Sequence, residues 1–172
     1  QSSGISIDTR KIFDNCIYFA LKGANFDGNT FALEALKQGA LYSVVDNPDL
    51  QNQNNCIYVS DVLECLQKLA TFHRQYLNIP IIALTGSNGK TTTKELLAAV
   101  LQKKYNVAFT QGNLNNHIGV PLTLLSITNA HEIAVVEMGA NHQKEIDFLC
   151  SIALPNYGLI NNIGSAHLEG FG

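Results

Sequence analysis

A glycine-punctuated segment near the middle of the chain has the residues and spacing of a phosphate-binding loop. Residues 81–93 read IIALTGSNGKTTT, and the helix-forming run KELLAAVLQKK follows. The apolar start predicts a short buried strand, then a turn and a helix. Gly86 and Gly89 let the backbone approach an anion closely, and the N–H groups that open a helix point at it. The segment therefore predicts a strand, phosphate loop and helix unit.

Two side chains of this loop extend the chemistry. Lys90 brings a positive charge to the outer phosphates, and Thr91 places a hydroxyl where a phosphate-bound Mg²⁺ needs an oxygen ligand. The usual spacing G-x-x-x-x-G-K-[ST] would require a glycine where Leu84 stands. The alternative interpretation is an ordinary turn before a helix, with Lys90 in solvent.

Two further residues could complete a metal or phosphate site. Glu137 directly follows the buried run AVV, in the position from which phosphate-loop enzymes hold Mg²⁺. The alternative interpretation is that Glu137 lies at a solvated strand end. The phosphate loop at 86–92 in the same chain favours the metal role. His167 follows the next predicted strand and could reach a second metal or the transferred phosphate. The residues alone leave open whether it is instead a surface histidine.

The loop QGNLNNHIG at 111–119 is unusually rich in side-chain amides. Asn113, Asn115 and Asn116 could donate to phosphate or substrate oxygens, or could simply tolerate left-handed turns. Three amides within four residues of an otherwise apolar domain favour contact. His117 stays undecided.

The elements around these residues alternate between strand and helix, which predicts α/β architecture with a parallel sheet and a ligand beyond the carboxyl ends of its strands. We predict a small mixed α/β N-terminal domain at 1–79, followed by a parallel-sheet phosphate-loop domain at 80–172. Within the first, Thr30 is predicted to cap one helix, with Phe31 on its buried face, and Ser60 to cap another.

The second of these helices has apolar positions at steps of three and four, and Pro121 is predicted to open a later helix. His73 falls on that stripe and is interpreted as a packed residue rather than a ligand. The predicted stripe consists of Val62, Leu66, Leu69, His73 and Tyr76.

Composition excludes several classes of function. The 172 residues carry a formal charge of −3, and no basic cluster exceeds Lys103–Lys104, so a nucleic-acid surface is not expected. No apolar run approaches the length of about 18 residues that a membrane span requires. The four cysteines are scattered and predict reduced thiols of a cytoplasmic protein.

Several segments, taken in order, resemble the Mur ligases of cell-wall synthesis. They are ALTGSNGKTTTKE, GNLNNHIGVPLTLL, VVEMGANHQKEI and NNIGSAHLEGFG. Near the N-terminus, IDTRKI and IYFALKGANFDGNTFALEALKQGA are similar to the family's UDP-sugar-binding domain. The resemblance is narrowest to the members that join D-alanyl-D-alanine to UDP-MurNAc-tripeptide. It implies that ATP phosphorylates the terminal carboxylate of the tripeptide and that the dipeptide amine attacks the acyl phosphate.

The same resemblance implies roles for individual residues. The catalytic set is Lys90, Asn116 and His167. The ATP phosphates are implied to bind Gly86, Ser87, Asn88, Gly89, Lys90, Thr91 and Thr92. Mg²⁺ is implied to bind Thr91 and Glu137, with His167 at a second metal. The UDP-linked substrate is implied to contact Asp8, Thr9, Arg10, Asn113, Asn115 and Asn116, with Thr9 standing where the family usually has serine.

The resemblance implies a protein of three domains, whose dipeptide-binding domain is expected to lie beyond this chain. These 172 residues are therefore not expected to catalyse ligation by themselves, and the full protein is expected to be a monomer. One alternative is the sister ligase that adds the third stem residue. Folylpolyglutamate synthase is disfavoured by the separate N-terminal domain. From a different class, the chain could be a nucleotide-binding switch without turnover.

Overall fold

The computed structural model of the chain describes residues 2–164. The chain divides into two compact units, Gln1–Leu66 and Gln67–Gly172. The predicted functional division between residues 79 and 80 is a different boundary and stays a prediction. In the described residues no helix is long and apolar enough to cross a membrane.

The first unit is built on a parallel sheet. Its strands are β1 (Gly4–Ser6), β2 (Cys16–Phe19), β5 (Tyr42–Val45) and β6 (Cys56–Tyr58), paired in that order. Two short strands between β2 and β5, namely β3 (Lys22–Gly23) and β4 (Phe26–Asp27), form an antiparallel hairpin. Helix α1 (Ala32–Lys37) contributes Ala32 and Ala35 to a core that includes Tyr18 and Val45.

The prediction that Thr30 caps α1 is wrong. Phe31 occupies the N-cap position of α1 without a side-chain hydrogen bond, and Asp27 caps the preceding 3-10 turn, because its carboxylate accepts the N–H of Asn29 at 2.9 Å. The hydroxyl of Thr30 instead donates to the Asp27 carbonyl at 2.7 Å. A short 3-10 turn at Gly28–Phe31 precedes the helix and rotates Phe31 outward, where it is 45% exposed rather than buried.

Helix α2 (Val62–Leu77) also begins one residue later than Ser60 predicts. Asp61 accepts the N–H of Glu64 at 2.8 Å and therefore caps it. The buried positions fall at steps of four, which leaves Tyr76 72% exposed and outside the stripe; they are Val62, Leu66, Ala70 and Arg74. His73 Nε2 lies 2.8 Å from the Ile127 carbonyl oxygen, which confirms that it is a packed residue.

The second unit contains the other parallel sheet, and it confirms the predicted α/β class. Its strands are β7 (Ile81–Thr85), β8 (Val107–Phe109), β9 (Ile133–Glu137) and β10 (Tyr157–Ile160), in the spatial order β10-β7-β9-β8. Its helices after α2 are α3 (Lys90–Leu101), α4 (Gly119–Leu125) and α5 (Glu145–Ala153).

Helices cover both faces of this sheet. On one face Ile81 and Val136 pack with Val120, Leu124 and Leu149 from α4 and α5. On the other face Val135 packs with Ala98 of α3. Because all four strands are parallel, their carboxyl ends meet at one edge. That edge carries the loop before α3, the end of β9 and the residues after β10.

Helix α4 begins two residues before Pro121, which was predicted to open it. The reason is a cap: Asn116 Oδ1 accepts the N–H groups of Ile118 at 3.0 Å and Gly119 at 2.9 Å. Pro121 still lies in the first turn, where its missing N–H is not needed. The amide-rich loop thus ends in a helix cap.

Candidate functional site

The predicted phosphate loop joins β7 to α3, as the sequence indicates. Gly86 has φ +149° and Gly89 has φ +74°, conformations that residues with side chains adopt only under strain. Helix geometry leaves the N–H groups of Lys90, Thr91 and Thr92 without a carbonyl acceptor inside α3. Lys90 Nζ donates to the Gly86 carbonyl at 2.6 Å, so it lies directly over the loop. Backbone N–H groups at the start of a helix, with a lysine ammonium group beside them, are suited to bind an anion.

Glu137 stands beside that loop and is almost completely buried. It is the last residue of β9, is paired in register with Leu84 of β7, and is 1% exposed. Its Oε1 atom accepts a hydrogen bond from Asn115 Nδ2 at 2.8 Å and lies 3.4 Å from Thr91 Oγ1. Its Oε2 atom has no hydrogen-bond partner among residues 2–164. The alternative of a solvated strand end is therefore excluded.

A buried carboxylate oxygen without a partner is costly unless a cation or donor satisfies it. Within the described range no group of three or more His, Cys, Asp or Glu side chains is placed to hold a metal ion. Mg²⁺ is often held by one or two protein oxygens together with phosphate and water oxygens. The Glu137 carboxylate and the Thr91 hydroxyl fit that pattern.

Two residues that the sequence did not single out hold Glu137 in place. Thr110 Oγ1 accepts the backbone N–H of Glu137 at 2.9 Å. The carbonyl of Thr110 accepts from Lys94 Nζ at 2.7 Å, and the Lys94 side chain is fully buried. Lys94 also pairs with Glu95 at 2.9 Å. One feature of the sequence could have indicated that Lys94 lies near the site. It is four residues after Lys90, and residues four apart lie on the same face of a helix.

The amide-rich loop contributes unequally. The Asn115 side chain donates to Glu137, and the Asn115 carbonyl accepts the N–H of Gly139 at 2.8 Å. Asn115 therefore links the amide-rich loop to the end of β9. The Asn116 side-chain oxygen is used as the cap of α4. Asn113 is exposed and does not line the cavity described next.

A cavity of about 520 Å³ opens beside the loop. Lys90, Asn116 and His117 line one part of it, and the segment 139–142 after β9 lines another. Phe148 and Leu149 of α5 supply apolar wall. A cavity with an ammonium group and several side-chain amides is suited to a ligand with an anionic end and a partly apolar body.

The wall formed by the segment 139–142 is fixed by one carboxylate. Glu145 Oε2 accepts the N–H groups of Asn141 at 2.6 Å and His142 at 3.1 Å. These backbone hydrogen bonds are the main cause that lowers the pKa of Glu145 below its ordinary value. His142 Nδ1 lies 3.3 Å from Glu145 Oε1, which orients the imidazole at the cavity wall. Neither Glu145 nor His142 is indicated by the sequence pattern.

The segment after β10 also meets the phosphate loop. Ser87 Oγ donates to the Gly164 carbonyl at 3.1 Å and accepts the Gly164 N–H at 2.9 Å. Asn161 and Asn162 also form hydrogen bonds with the loop, through the backbone of Asn88. The parallel topology could have indicated them, because β10 ends at the same edge as β7. His167 lies outside the described residues, so its predicted role stays a prediction.

The predicted substrate residues near the N-terminus form a compact turn in the first unit. Asp8 caps a 3-10 turn at Thr9–Lys11 by accepting the Arg10 N–H at 3.0 Å. Its carboxylate also pairs with the Arg10 guanidinium at 2.9 and 2.8 Å. This arrangement fixes the backbone at Thr9, whose predicted role in binding the substrate remains a prediction.

The Asp8–Arg10 pair predicts an acid titration. The side-chain hydrogen bonds from Arg10, with a backbone bond second, lower the pKa of Asp8 from 3.8 to about 2. The pair therefore stabilises the turn above pH 3.8 and loses that effect as the pH falls towards 2. We expect Arg10→Gln to raise the Asp8 pKa, which a carboxyl-detected NMR titration measures. An unchanged midpoint in the variant would show that the guanidinium has no part in the shift.

Comparison with known proteins assigns the two parts of the chain to one family. Residues 84–172 match the Mur ligase middle domain, and residues 1–79 match a profile described as the Mur ligase family, catalytic domain. The chain is 47% identical to UDP-N-acetylmuramoyl-tripeptide--D-alanyl-D-alanine ligase of Haemophilus influenzae, over 100% of this chain and 38% of the relative. It is 45% identical to the Escherichia coli ligase of the same name, over 98% of this chain and 37% of that protein.

Solved structures agree. MurF from Acinetobacter baumannii superposes with a TM-score of 0.89 at 39% identity, covering 95% of this chain and 36% of that one. MurF ligase from Thermotoga maritima in complex with ADP gives a TM-score of 0.86 at 35% identity, covering 96% and 38%. The chain thus spans little more than a third of the length of these relatives. These matches show that the chain belongs to the Mur ligase family.

Proposed function

We propose that this chain is the UDP-substrate-binding and ATP-binding part of an ATP-dependent amide ligase that joins D-alanyl-D-alanine to UDP-MurNAc-tripeptide. The observation that carries the proposal is the buried Oε2 of Glu137 beside the Lys90 loop, which has no hydrogen-bond partner among the described residues, in a chain 47% identical to a ligase of that name. Residues 1–79 would bind the UDP-linked substrate through Asp8, Thr9 and Arg10. Residues 80–172 would bind ATP.

The loop's role in this reaction is electrostatic. Phosphoryl transfer needs little covalent chemistry from the protein, and catalysis is mostly positioning and charge stabilisation. The N–H groups of Lys90, Thr91 and Thr92, together with the Lys90 ammonium group, would hold the phosphates as charge moves onto the leaving group. The Thermotoga maritima relative was solved in complex with ADP, which supports nucleotide binding by the full-length protein.

Glu137 and Thr91 would hold Mg²⁺, which when bound neutralises phosphate charge. The fit rests on Oε2, to which residues 2–164 offer no hydrogen bond, and on the two oxygens that converge from β9 and α3, Glu137 Oε1 and Thr91 Oγ1. His167 is proposed at a second metal. The described cysteines are free thiols, which agrees with the cytoplasm as the proposed location.

The cavity beside the loop would take the terminal carboxylate of the peptide. Lys90 and the side-chain amides of Asn115 and Asn116 line the side next to the phosphates, where a carboxylate must lie to receive the phosphoryl group. Phosphorylation of this carboxylate forms an acyl phosphate and releases ADP. Attack by the amine of D-alanyl-D-alanine then forms the amide bond and releases phosphate. Because Asn116 Oδ1 caps α4, the Nδ2 group is the part of that side chain that would contact the carboxylate and phosphate oxygens.

Substrate choice tests the proposal against the sister ligase. The full-length protein is given ATP with either UDP-MurNAc-tripeptide plus D-alanyl-D-alanine or UDP-MurNAc-dipeptide plus a diamino acid, and phosphate release is followed. We expect release only with the tripeptide pair. Release only with the dipeptide pair would assign the sister function, and nucleotide binding without release under either condition would favour a switch.

A further inference from the structure

The segment Asn161–Gly164, here called the clamp segment, is bonded to the phosphate loop by a two-point contact. Asn162 Oδ1 accepts the N–H of Asn88 at 2.9 Å, and Asn162 Nδ2 donates to the Asn88 carbonyl at 3.0 Å. One side-chain amide therefore satisfies both backbone groups of a loop residue. Such a paired contact fixes the peptide orientation as well as its position.

Asn161 extends the contact to both ends of the loop. Its N–H donates to the Thr85 carbonyl at 2.8 Å, where β7 ends. Its Nδ2 donates to the Asn88 carbonyl at 2.8 Å, and its Oδ1 accepts from Thr93 Oγ1 at 3.0 Å in the first turn of α3. This residue thus touches the strand, the loop and the helix.

The two loop glycines are explained by the same contact. A Cβ atom on Gly86 would lie 2.9 Å from Asn161 Cβ, and one on Gly89 would lie 2.9 Å from Asn161 Nδ2. Both distances are shorter than side-chain packing allows. Because neither glycine has a Cβ atom, the clamp segment can pack against this side of the loop.

The clamp segment also decides which loop N–H groups face a ligand. The N–H of Ser87 donates to the Asn162 carbonyl at 3.2 Å, and the N–H of Asn88 donates to the Asn162 side chain. Neither of these two N–H groups points to a phosphate in this arrangement. Those at the start of α3, from Lys90 to Thr92, have no acceptor within the helix.

We propose that Asn161 and Asn162 are positioning residues that hold the phosphate loop in its binding conformation before nucleotide arrives and reserve the Lys90–Thr92 N–H groups for phosphate. This inference rests on the proposed function, because it concerns the same nucleotide site. Its physical basis is entropy: a glycine-containing loop with an exposed Asn88 must be ordered at some cost, and a loop already ordered binds more tightly.

The first test uses the wild-type full-length protein and NMR amide exchange. In the absence of nucleotide we expect the Ser87 and Asn88 N–H groups to be protected and those of Lys90, Thr91 and Thr92 to exchange faster. Addition of Mg²⁺ and ADP should shift and protect the second group and leave the first nearly unchanged. Unprotected Ser87 and Asn88 amides without nucleotide, or equal responses in both groups, would overturn the proposal.

The second test uses a matched pair of variants. Asn162→Ala removes the two-point contact. Asn106→Ala removes one side-chain amide hydrogen bond to the backbone, from Asn106 Nδ2 to the Ala130 carbonyl at 2.9 Å, at the opposite edge of the same sheet. We expect Asn162→Ala to raise the Kd for ADP about tenfold, the effect of ordering about one residue on binding. Asn106→Ala should change the Kd for ADP less than twofold. Its fall in Tm should be similar to that of Asn162→Ala.

The readouts separate positioning from general stability. In the Asn162→Ala ligase the KM for ATP should rise while the KM for D-alanyl-D-alanine stays constant. Equal ADP affinity in the Asn162→Ala and wild-type proteins would overturn the inference. If Asn162→Ala does not fold, the amide exchange of the wild-type protein decides. Failure of the proposed function has another signature, which is no ADP binding by the wild-type protein itself.

Discussion

Glu137→Ala in the full-length protein is expected to reduce phosphate release by about 10²–10³-fold, the usual cost of removing one preorganised electrostatic group from an active site. The reason is its position: the carboxylate is 1% exposed, Asn115 holds Oε1, and Oε2 has no partner in the part of the chain that the structure describes, so a cation would satisfy it. Nucleotide affinity should fall less, because the loop N–H groups and Lys90 remain. Phosphate release and ADP titration measure the two effects.

The matched control for this prediction is Glu132→Ala. Glu132 immediately precedes the same strand at its other end and accepts the N–H of Asn106 at 2.9 Å. We expect its rate to stay within about twofold of wild type, as for surface substitutions generally. Glu137→Gln keeps the shape and the contact with Asn115 but removes the charge, so it should behave like the alanine variant. A Glu137→Gln enzyme with nearly normal turnover would contradict the metal assignment.

Lys90→Met is expected to lower both ATP affinity and turnover, with a loss in turnover of about 10²–10³-fold. Methionine preserves most of the length of the side chain and removes its charge. In the structure Lys90 Nζ lies 2.6 Å from the Gly86 carbonyl, directly over the loop where phosphate would bind. ATP titration and initial rates at saturating ATP separate the loss in affinity from the loss in rate.

Lys103→Met serves as the control for Lys90→Met, because Lys103 is exposed in the turn after α3. Its affinity and rate should match those of the wild type. If Lys90→Met bound ATP and turned over as well as Lys103→Met, the loop would not be the phosphate site. Loss of rate with unchanged ATP affinity would instead confine Lys90 to the transferring phosphoryl group.

The strand, loop and helix of the nucleotide site could be predicted because local pattern and topology agree there. An apolar run, two glycines and a helix former define the unit, and a parallel sheet brings Glu137 to the same edge. The same reasoning does not reveal burial. Nothing in the pattern distinguishes a solvated Glu137 from a buried one, or an exposed Lys94 from one that is fully buried.

Helix caps were predicted less well, for a local reason. At both Thr30 and Ser60 a second residue able to cap lies nearby, Asp27 in one case and Asp61 in the other. The choice depends on which backbone is extended just before the helix, and composition does not settle that. The sequence pattern does not indicate the contacts of Asn161 and Asn162 with the loop and α3, because their partners Thr93 and Asn88 are 68 and 74 residues away in the chain.

The most direct test of the whole account is a crystal structure of the protein with Mg²⁺ and ADP or a non-hydrolysable ATP analogue. The account predicts phosphate oxygens on the N–H groups of Lys90 to Thr92, with the metal between the Thr91 hydroxyl and the Glu137 carboxylate. A loop without nucleotide at saturating concentration, or a metal bound away from Glu137, would contradict it.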